Sequence, residues 1–341
     1  MQTKLKLKDS IYILKEDGSK YVVIFTATRK IKKFEVDPLV CDMIENLKLE
    51  KTELDLFNEL AGRYNRKDIS DCLKALETEG IVRRYDGSTT DQRFSKQLGF
   101  IDELTASWEE TLDLQNKIKN SSIAVFGVGG IGTWMVNSLY QIGVGNIKIT
   151  DPDKVSESNL NRQLFFDTND IGKYKVEVIE SKLADAKITP FLKTVREGED
   201  LEEIVSGCNF LVNCADSPSV VETTRVIDKY ACKHSIPYCV AGGYNLYLGM
   251  VGPIIVPGKT ASFEDFIAYQ KKMDPLKDLE KIKDISQTGN LGPIAGAIAN
   301  IQAMEIFKYL VGKGKLNLNR FVEIDFMDLN IIWREFSKQS S

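Results

Sequence analysis

The chain has 341 residues, 43% hydrophobic and 28% charged, with a net charge of −4 and an isoelectric point near 5.4. That length allows two domains with separate cores, and the acidic balance argues against a nucleic-acid-binding surface, which is usually strongly basic. The opening MQTKLKLKDS lacks the apolar core of a signal peptide, so the chain reads as cytoplasmic.

Residues 10–36 read as short strands: SIYIL, a turn at EDGSK, YVVIFTA, then a charged hairpin segment and FEV. Asp17-Gly18 between apolar runs is a hairpin signal. Three helical patterns follow. Asp37 can cap the first, with Pro38 at its first position and Leu39, Met43, Ile44 and Leu47 on one face. Thr52 begins the second, which carries Leu54, Phe57 and Leu60. The third, KDISDCLKALETEG, sets Ile69, Leu73 and Leu76 on one stripe and stops at Gly80. IVRRYDG returns as a strand. The order predicts a small winged-helix-like α+β module over residues 1–88. Such modules commonly bind DNA, but the third helix carries Asp71, Glu77 and Glu79 against Lys67 and Lys74, poor chemistry for phosphate contacts. An exposed strand beside that helix can instead take a peptide as an added strand.

DGSTTDQ (86–92) is polar and turn-rich and marks a boundary. Residues 89–122 then form a linker and an amphipathic stretch containing RFSKQ (93–97), and residues 123–341 form the second domain. Its first strand runs into VFGVGGIG, where Gly127, Gly129, Gly130 and Gly132 fall within six positions. Glycines so dense cost entropy to order and imply close approach to the backbone. A helix, TWMVNSLYQIG, and a strand, NIKITD, complete a β–α–β unit with Asp151 at the end of its second strand. Backbone amides at such a turn bind phosphate, and the acid accepts ribose hydroxyls.

Downstream, DPDKVSESNLNRQLFF places Asn159, Arg162 and Gln163 beyond that acid, and IGKYKVEVIESKLA sets Lys173 and Lys175 at a helix start. Cations clustered beside a glycine turn suit a triphosphate, whose transferring charge they stabilise. FLVNCADSP reads as a buried strand ending at Asp216, on the sheet edge where ligands collect. A carboxylate facing phosphates implies magnesium. The six cysteines include no C-x-x-C pair, and the single histidine, His234, has no nucleophile signature beside it. The greasiest segment, Gly292 to Val311, contains Asn300, Gln302, Glu305 and Lys308, so a buried helix is expected rather than a membrane span.

At these residues the chain resembles the ThiF/MoeB-type adenylyltransferases, the ancestral form of ubiquitin-activating enzymes. The resemblance rests on GVGGIG, the DPDKVSESNLNRQ run, GKYKVE, NCAD and LGPIAGAIANIQAMEIFKYLVG, and runs from about residue 93 to 330. It implies a Rossmann-like α/β domain with a mostly parallel sheet that adenylates a carboxylate with ATP and magnesium. It further implies Asp151 for the ribose, Asn159, Arg162, Gln163 and Lys175 for the phosphates, and Asp216 for the magnesium. The N-terminal module looks like the peptide-recognition element of the microcin C-type and pantocin-type members. The implied acceptor is a ribosomally made precursor peptide of a natural-product pathway, with neither nucleic acid nor membrane as partner.

Three departures accompany the resemblance. Where members often carry zinc-binding C-x-x-C pairs, this chain reads ASFEDF, with Ser262 and Asp265, and FMDLNIIWREF, so no zinc is expected. The stretch Glu264 to Leu291, where ubiquitin-activating relatives form a thioester, has no cysteine. RFSKQ matches a segment that in the family reaches the partner subunit's phosphates in a homodimer, but Lys96 stands in the place of its second arginine and loses the bidentate fork. The rival readings are a sulfur-carrier activator of thiamine or molybdopterin type and an inactive scaffold for a leader peptide. A dehydrogenase fits less well, since Arg162, Gln163 and Lys175 have no nicotinamide role.

Overall fold

In KLKL the lysines and leucines alternate along a strand, so every second side chain turns inward. Leu5 is fully buried there. The structure, a computed structural model, describes residues 3–17, 19–85, 92–274, 279, 282–283 and 289–338. It divides into units Met1–Gln115 and Asn116–Ser341.

The first unit contains β1 (Lys4–Leu7), β2 (Ile11–Asp17), β3 (Lys20–Phe25), β4 (Lys30–Glu35), α1 (Pro38–Asn46), β5 (Lys51–Thr52), α2 (Glu53–Leu60), α3 (Arg66–Thr78), β6 (Val82–Tyr85) and α4 (Ser95–Asp102). Helix α5 (Trp108–Lys119) carries the chain into the second unit. Strands β2, β3 and β4 form one antiparallel sheet, and β5, β1 and β6 another. The expected strands begin at residue 10. β1 and β5 are additional, too short for alternation to stand out among lysines. Gly18 and residues 86–91 lie outside the described residues.

The three helices start where capping chemistry directs. Asp37 accepts the Val40 amide at 2.9 Å, and Thr52 and Asp55 form a reciprocal capping box. Leu39, Met43, Leu56, Phe57, Ile69, Leu73 and Leu76 close one core with Leu5 and Val23. Leu54, placed with this face by its spacing, is 57% exposed. A buried charged knot adds to this unit. The Arg83 guanidinium donates to the carbonyls of Ala106, Asp102 and Thr105, with its Nε 2.9 Å from the Asp102 carboxylate.

The second unit runs β7 (Ser122–Phe126), α6 (Gly130–Gln141), β8 (Asn146–Thr150), α7 (Lys175–Lys182), β9 (Ile188–Phe191), α8 (Glu202–Val205), β10 (Phe210–Asn213), α9 (Val220–His234), β11 (Tyr238–Val240), β12 (Gly243–Asn245), β13 (Leu248–Val251), β14 (Ile254–Ile255), α10 (Phe263–Met273), α11 (Gly292–Val311), β15 (Arg320–Asp325) and β16 (Asn330–Glu335). Its central sheet has the order β14-β11-β10-β7-β8-β9, parallel from β11 to β9 with β14 antiparallel at one edge. This is a Rossmann-like arrangement, whose crevice opens at the carboxyl ends of the strands. A four-stranded antiparallel sheet, β12-β13-β15-β16, accompanies it.

Among the described residues one helix, α11, is long and apolar enough to cross a membrane, and 67% of its most apolar window is buried. Gly296 explains part of that burial. A side chain there would meet the Trp134 ring of α6 at 3.2 Å, so the glycine lets α11 and α6 approach closely.

Candidate active site

The four glycines of the turn after β7 divide into two pairs. Gly127 takes φ +84°, and a Cβ on it would stand 2.8 Å from the Ala215 backbone. A Cβ on Gly132 would stand 2.0 Å from the Gly127 carbonyl oxygen. These two serve the close packing of turn, helix and neighbouring strand. Gly129 and Gly130 instead face side chains of the cleft rather than backbone. A Cβ on Gly129 would meet only the Gln163 side chain at 4.0 Å, and one on Gly130 the Tyr244 hydroxyl at 3.0 Å. The second pair leaves the amides at the start of α6 accessible from a cleft.

That cleft has a volume of about 620 Å³. Gly127, Gly129, Gly130, Asp151, Asn159, Arg162, Gln163, Lys175 and Asp216 all line it. Gly132 does not, because it packs against the Gly127 carbonyl and the Cys214 side chain. Lys96, of the first unit, is exposed on α4 and is not among the lining residues. Lys173 also turns elsewhere, toward the Asp170 carboxylate at 3.2 Å.

Each lining side chain is held by its own element. Asp151 follows β8 and is buried; its Oδ2 accepts the Val128 amide at 2.8 Å and its Oδ1 the Asp153 amide at 2.8 Å. Burial pushes its carboxyl above the usual range, against the lowering effect of Lys175. The Lys175 ammonium is also buried, 2.9 Å from Asp153 and 3.8 Å from Asp151. Helix α6 fixes the segment with the next three residues. Trp134 donates its ring N–H to the Arg162 carbonyl at 3.1 Å, and the Leu164 amide donates to the Thr133 hydroxyl at 3.2 Å. Asn159 is spent on a turn, accepting the Ser156 amide at 3.0 Å.

Gln163 is 5% exposed, lines the cleft, and its Oε1 has no hydrogen-bond partner. An orphaned buried amide oxygen costs on the order of 1–3 kcal/mol, so this side chain fits a site that awaits a polar ligand. Asp216 lies just beyond β10 and is exposed. Asn213 shapes that turn. It donates to Thr223 and Thr224 on α9 and accepts the Ala215 amide at 2.9 Å.

The lining also includes Lys193, Tyr244 and Asn290, which sequence reading missed. Lys193 follows β9, and the same rule that placed Asp151 and Asp216, ligands at carboxyl ends of parallel strands, would have found it. Tyr244 and Asn290 carry no such signal. Cys214 lines the cleft too, and burial pushes its thiol far up, so it stays protonated and unreactive.

Asp153 and Asp216 are cleft carboxylates of the kind that could hold a magnesium ion together with substrate phosphates. Among the described residues no group of three or more His, Cys, Asp or Glu side chains could hold a metal alone, and magnesium typically takes one or two carboxylates plus substrate phosphates. At the positions compared with zinc ligands, Ser262 and Asp265 are engaged in a capping box that starts α10.

A family model described as the ThiF family matches residues 101–341. The molybdopterin-synthase adenylyltransferase of Haemophilus influenzae is 29% identical over 224 residues, 64% of this chain and 86% of that protein. The sulfur carrier protein ThiS adenylyltransferase of Escherichia coli is 28% identical over 224 residues, 64% of this chain and 81% of that protein. Among solved structures, E. coli MccB with ATP superposes with a TM-score of 0.73 at 21% identity, covering 98% of each chain. The microcin C7 biosynthetic enzyme MccB in complex with N-formylated MccA gives 0.74 at 22% identity, again over 98% of each chain. PaaA gives 0.72 at 20% identity, over 97% of this chain and 100% of that one. The structural likenesses establish a shared fold.

Proposed function

The chain belongs to the ThiF family and is an ATP-dependent adenylyltransferase, and we propose that its acceptor is a carboxylate of a ribosomally made precursor peptide. A carboxylate oxygen of the peptide attacks the α-phosphorus, the bond to the β-phosphate oxygen breaks, and pyrophosphate leaves with that electron pair. The step forms an acyl-adenylate. The observation that carries the nucleotide site is the gathering of Gly129, Gly130, Asp151, Arg162, Gln163, Lys175 and Asp216 around one cleft.

Asp151 would accept the ribose hydroxyls, since both its oxygens keep lone pairs beyond the two amides they already accept. Arg162, Lys175 and Gln163, with the first amides of α6, would hold the phosphates. Asp216 would hold a magnesium ion that neutralises phosphate charge when bound. Positioning and charge stabilisation supply most of the catalysis in such a transfer. A cytoplasmic location, where ATP and new peptides meet, and a homodimer in which Lys96 reaches the partner's phosphates belong to the same proposal.

The first unit supports the peptide acceptor. β4 is one of the two outer strands of its sheet, and Lys32 ties it to Glu79 at the end of α3. A strand edge beside a helix offers main-chain hydrogen bonds to an extended segment. MccB, which shares the fold over nearly the whole chain, was solved with the peptide MccA. A sulfur-carrier acceptor is the second reading, favoured by the names of the two bacterial relatives. The family match begins only at residue 101, so most of the first unit lies outside it. Peptide-dependent exchange of labelled pyrophosphate into ATP tests the proposal. Exchange driven only by a ThiS-type carrier protein would favour the second reading.

A further inference from the structure

Tyr244 stands on β12, opposite Gly249 of β13, at the edge of the four-stranded sheet. Its ring packs against Val251, Ile294, Ile298, Val322 and Ile324, so its position is set by a core rather than by a loop. From that anchor the hydroxyl reaches over the first turn of α6, 3.0 Å from where a Cβ on Gly130 would stand. The aliphatic part of Arg162 flanks the same spot, with its Cδ at 3.7 Å. The hydroxyl makes no hydrogen bond to any other described residue. It therefore overhangs the first turn of α6, beside the aliphatic chain of Arg162.

We infer that the Tyr244 hydroxyl is a phosphate ligand of the nucleotide site, a donor that closes the cradle formed by the α6 amides and Arg162. The inference rests on the nucleotide reading of the cleft. Two observations support a phosphate rather than the sugar or the base, and a third points to a polar ligand in the cleft. The α6 N-terminus is anion-binding by its free amides and dipole. Arg162 brings a permanent cation near enough to act on the phenol, while its guanidinium donates to the Ser158 carbonyl and to the Asn161 side chain at 3.0 Å. The buried Gln163, whose unpartnered oxygen lines the same cleft, calls for a hydrogen-bond donor and so points to a polar ligand that carries donors besides its phosphates. Burial holds the phenol above its ordinary pKa, against the lowering effect of Arg162, which keeps the proton on the oxygen as a donor requires.

The same residue lines a second cavity of about 500 Å³, bordered by Leu248, Met250, Ile324 and Ile332. Tyr244 and Gly243 line both. The tyrosine therefore stands where a phosphate in the cleft meets whatever group enters from the apolar side. A donor at that place would fix the phosphate against which an incoming group is aligned.

The test uses the intact chain and Tyr244→Phe, which keeps the ring in its core and removes only the hydroxyl. Calorimetric titration with ATP and, separately, with adenosine reads the two halves of the ligand. Loss of one hydrogen bond to a charged group should weaken ATP binding roughly 10- to 100-fold, with adenosine affinity unchanged and Tm preserved. The phosphorus-31 shifts of bound ATP should differ between the two proteins, a readout that melting cannot mimic. Equal ATP affinity in both proteins, or equal weakening for ATP and adenosine, would overturn the assignment. A wild-type chain that binds neither ligand would overturn the nucleotide reading itself, and the assignment with it.

Discussion

The Asp151 carboxylate accepts the backbone amide of Val128 at 2.8 Å, tying the end of β8 to the glycine turn after β7. One residue thus shapes the turn and faces the cleft. Asp151→Asn should weaken ATP binding by about 10-fold or more, since a charged acceptor for ribose hydroxyls is lost. Stability should respond differently. Burial raises the folded-state pKa of Asp151, so its contribution is fullest at low pH and is lost as pH rises through that raised value. The asparagine amide cannot accept both the Val128 and the Asp153 amides, so the variant should melt below the wild type, with a deficit in thermal scans that is largest at low pH and shrinks toward neutral pH.

The two glycine pairs predict opposite phenotypes. Gly132→Ala places a methyl 2.0 Å from the Gly127 carbonyl, a backbone clash that cannot be relieved by a side-chain turn. It should unfold or severely destabilise the chain. Gly129→Ala meets only the Gln163 amide at 4.0 Å and should melt within a few degrees of wild type. Its ATP affinity should nevertheless drop, because the methyl enters the cleft. Melting curves and ATP titrations on the same two proteins check both halves.

Lys182 anchors the segment leading to Lys175, donating to Asp170 at 2.6 Å, to Asp167 at 3.0 Å and to the Phe165 carbonyl at 2.6 Å. The hydrogen bond from Lys182 holds the Asp170 carboxyl down to about 2. A depressed carboxyl contributes stability that is full above its unfolded value, about 3.9, and fades as pH falls toward 2. Asp170→Asn should lower Tm by a few degrees at neutral pH. The gap to wild type should close steadily between about pH 4 and pH 2. A gap independent of pH would mean that the ion pair is not its source.

Arg162→Ala should slow adenylation by roughly 10²- to 10³-fold, the usual effect of removing one preorganised charge at a transferring phosphate. Asp216→Ala should slow it comparably and blunt its response to magnesium. A homodimer with sites completed across a two-fold axis adds a sharper outcome. Mixing Lys96→Ala chains with Asp216→Ala chains should then restore one intact site per mixed dimer. Mixed dimers without recovered activity would place Lys96 outside the partner's site.

Much of the nucleotide domain was legible because its signals are local. Asp151 and Asp216 sit where parallel strands end, and the run of buried residues in FLVN marks a central strand without any knowledge of its neighbours. The glycine turn announced itself, but not the division of labour within it. That division depends on Ala215 and Tyr244, which lie far along the chain. Lys173 and Lys175 look equivalent in sequence, yet only Lys175 lines the cleft. A helix start two residues away turns one toward the cleft acids and the other toward Asp170. Tyr244 was invisible for the same reason. It belongs to a different sheet, and only tertiary packing brings its hydroxyl over α6. β1 escaped notice because four residues are too few to show a period against a lysine-rich background.

The measurement closest to the central claim is ATP–pyrophosphate exchange by the intact chain, run against full-length precursor peptides, the same peptides without their leaders, and a ThiS-type carrier protein. The account predicts magnesium-dependent exchange with a full-length precursor, at least about tenfold weaker exchange at low concentration once the leader is removed, and none above background with the carrier. Robust exchange with the carrier and none with any peptide would contradict it.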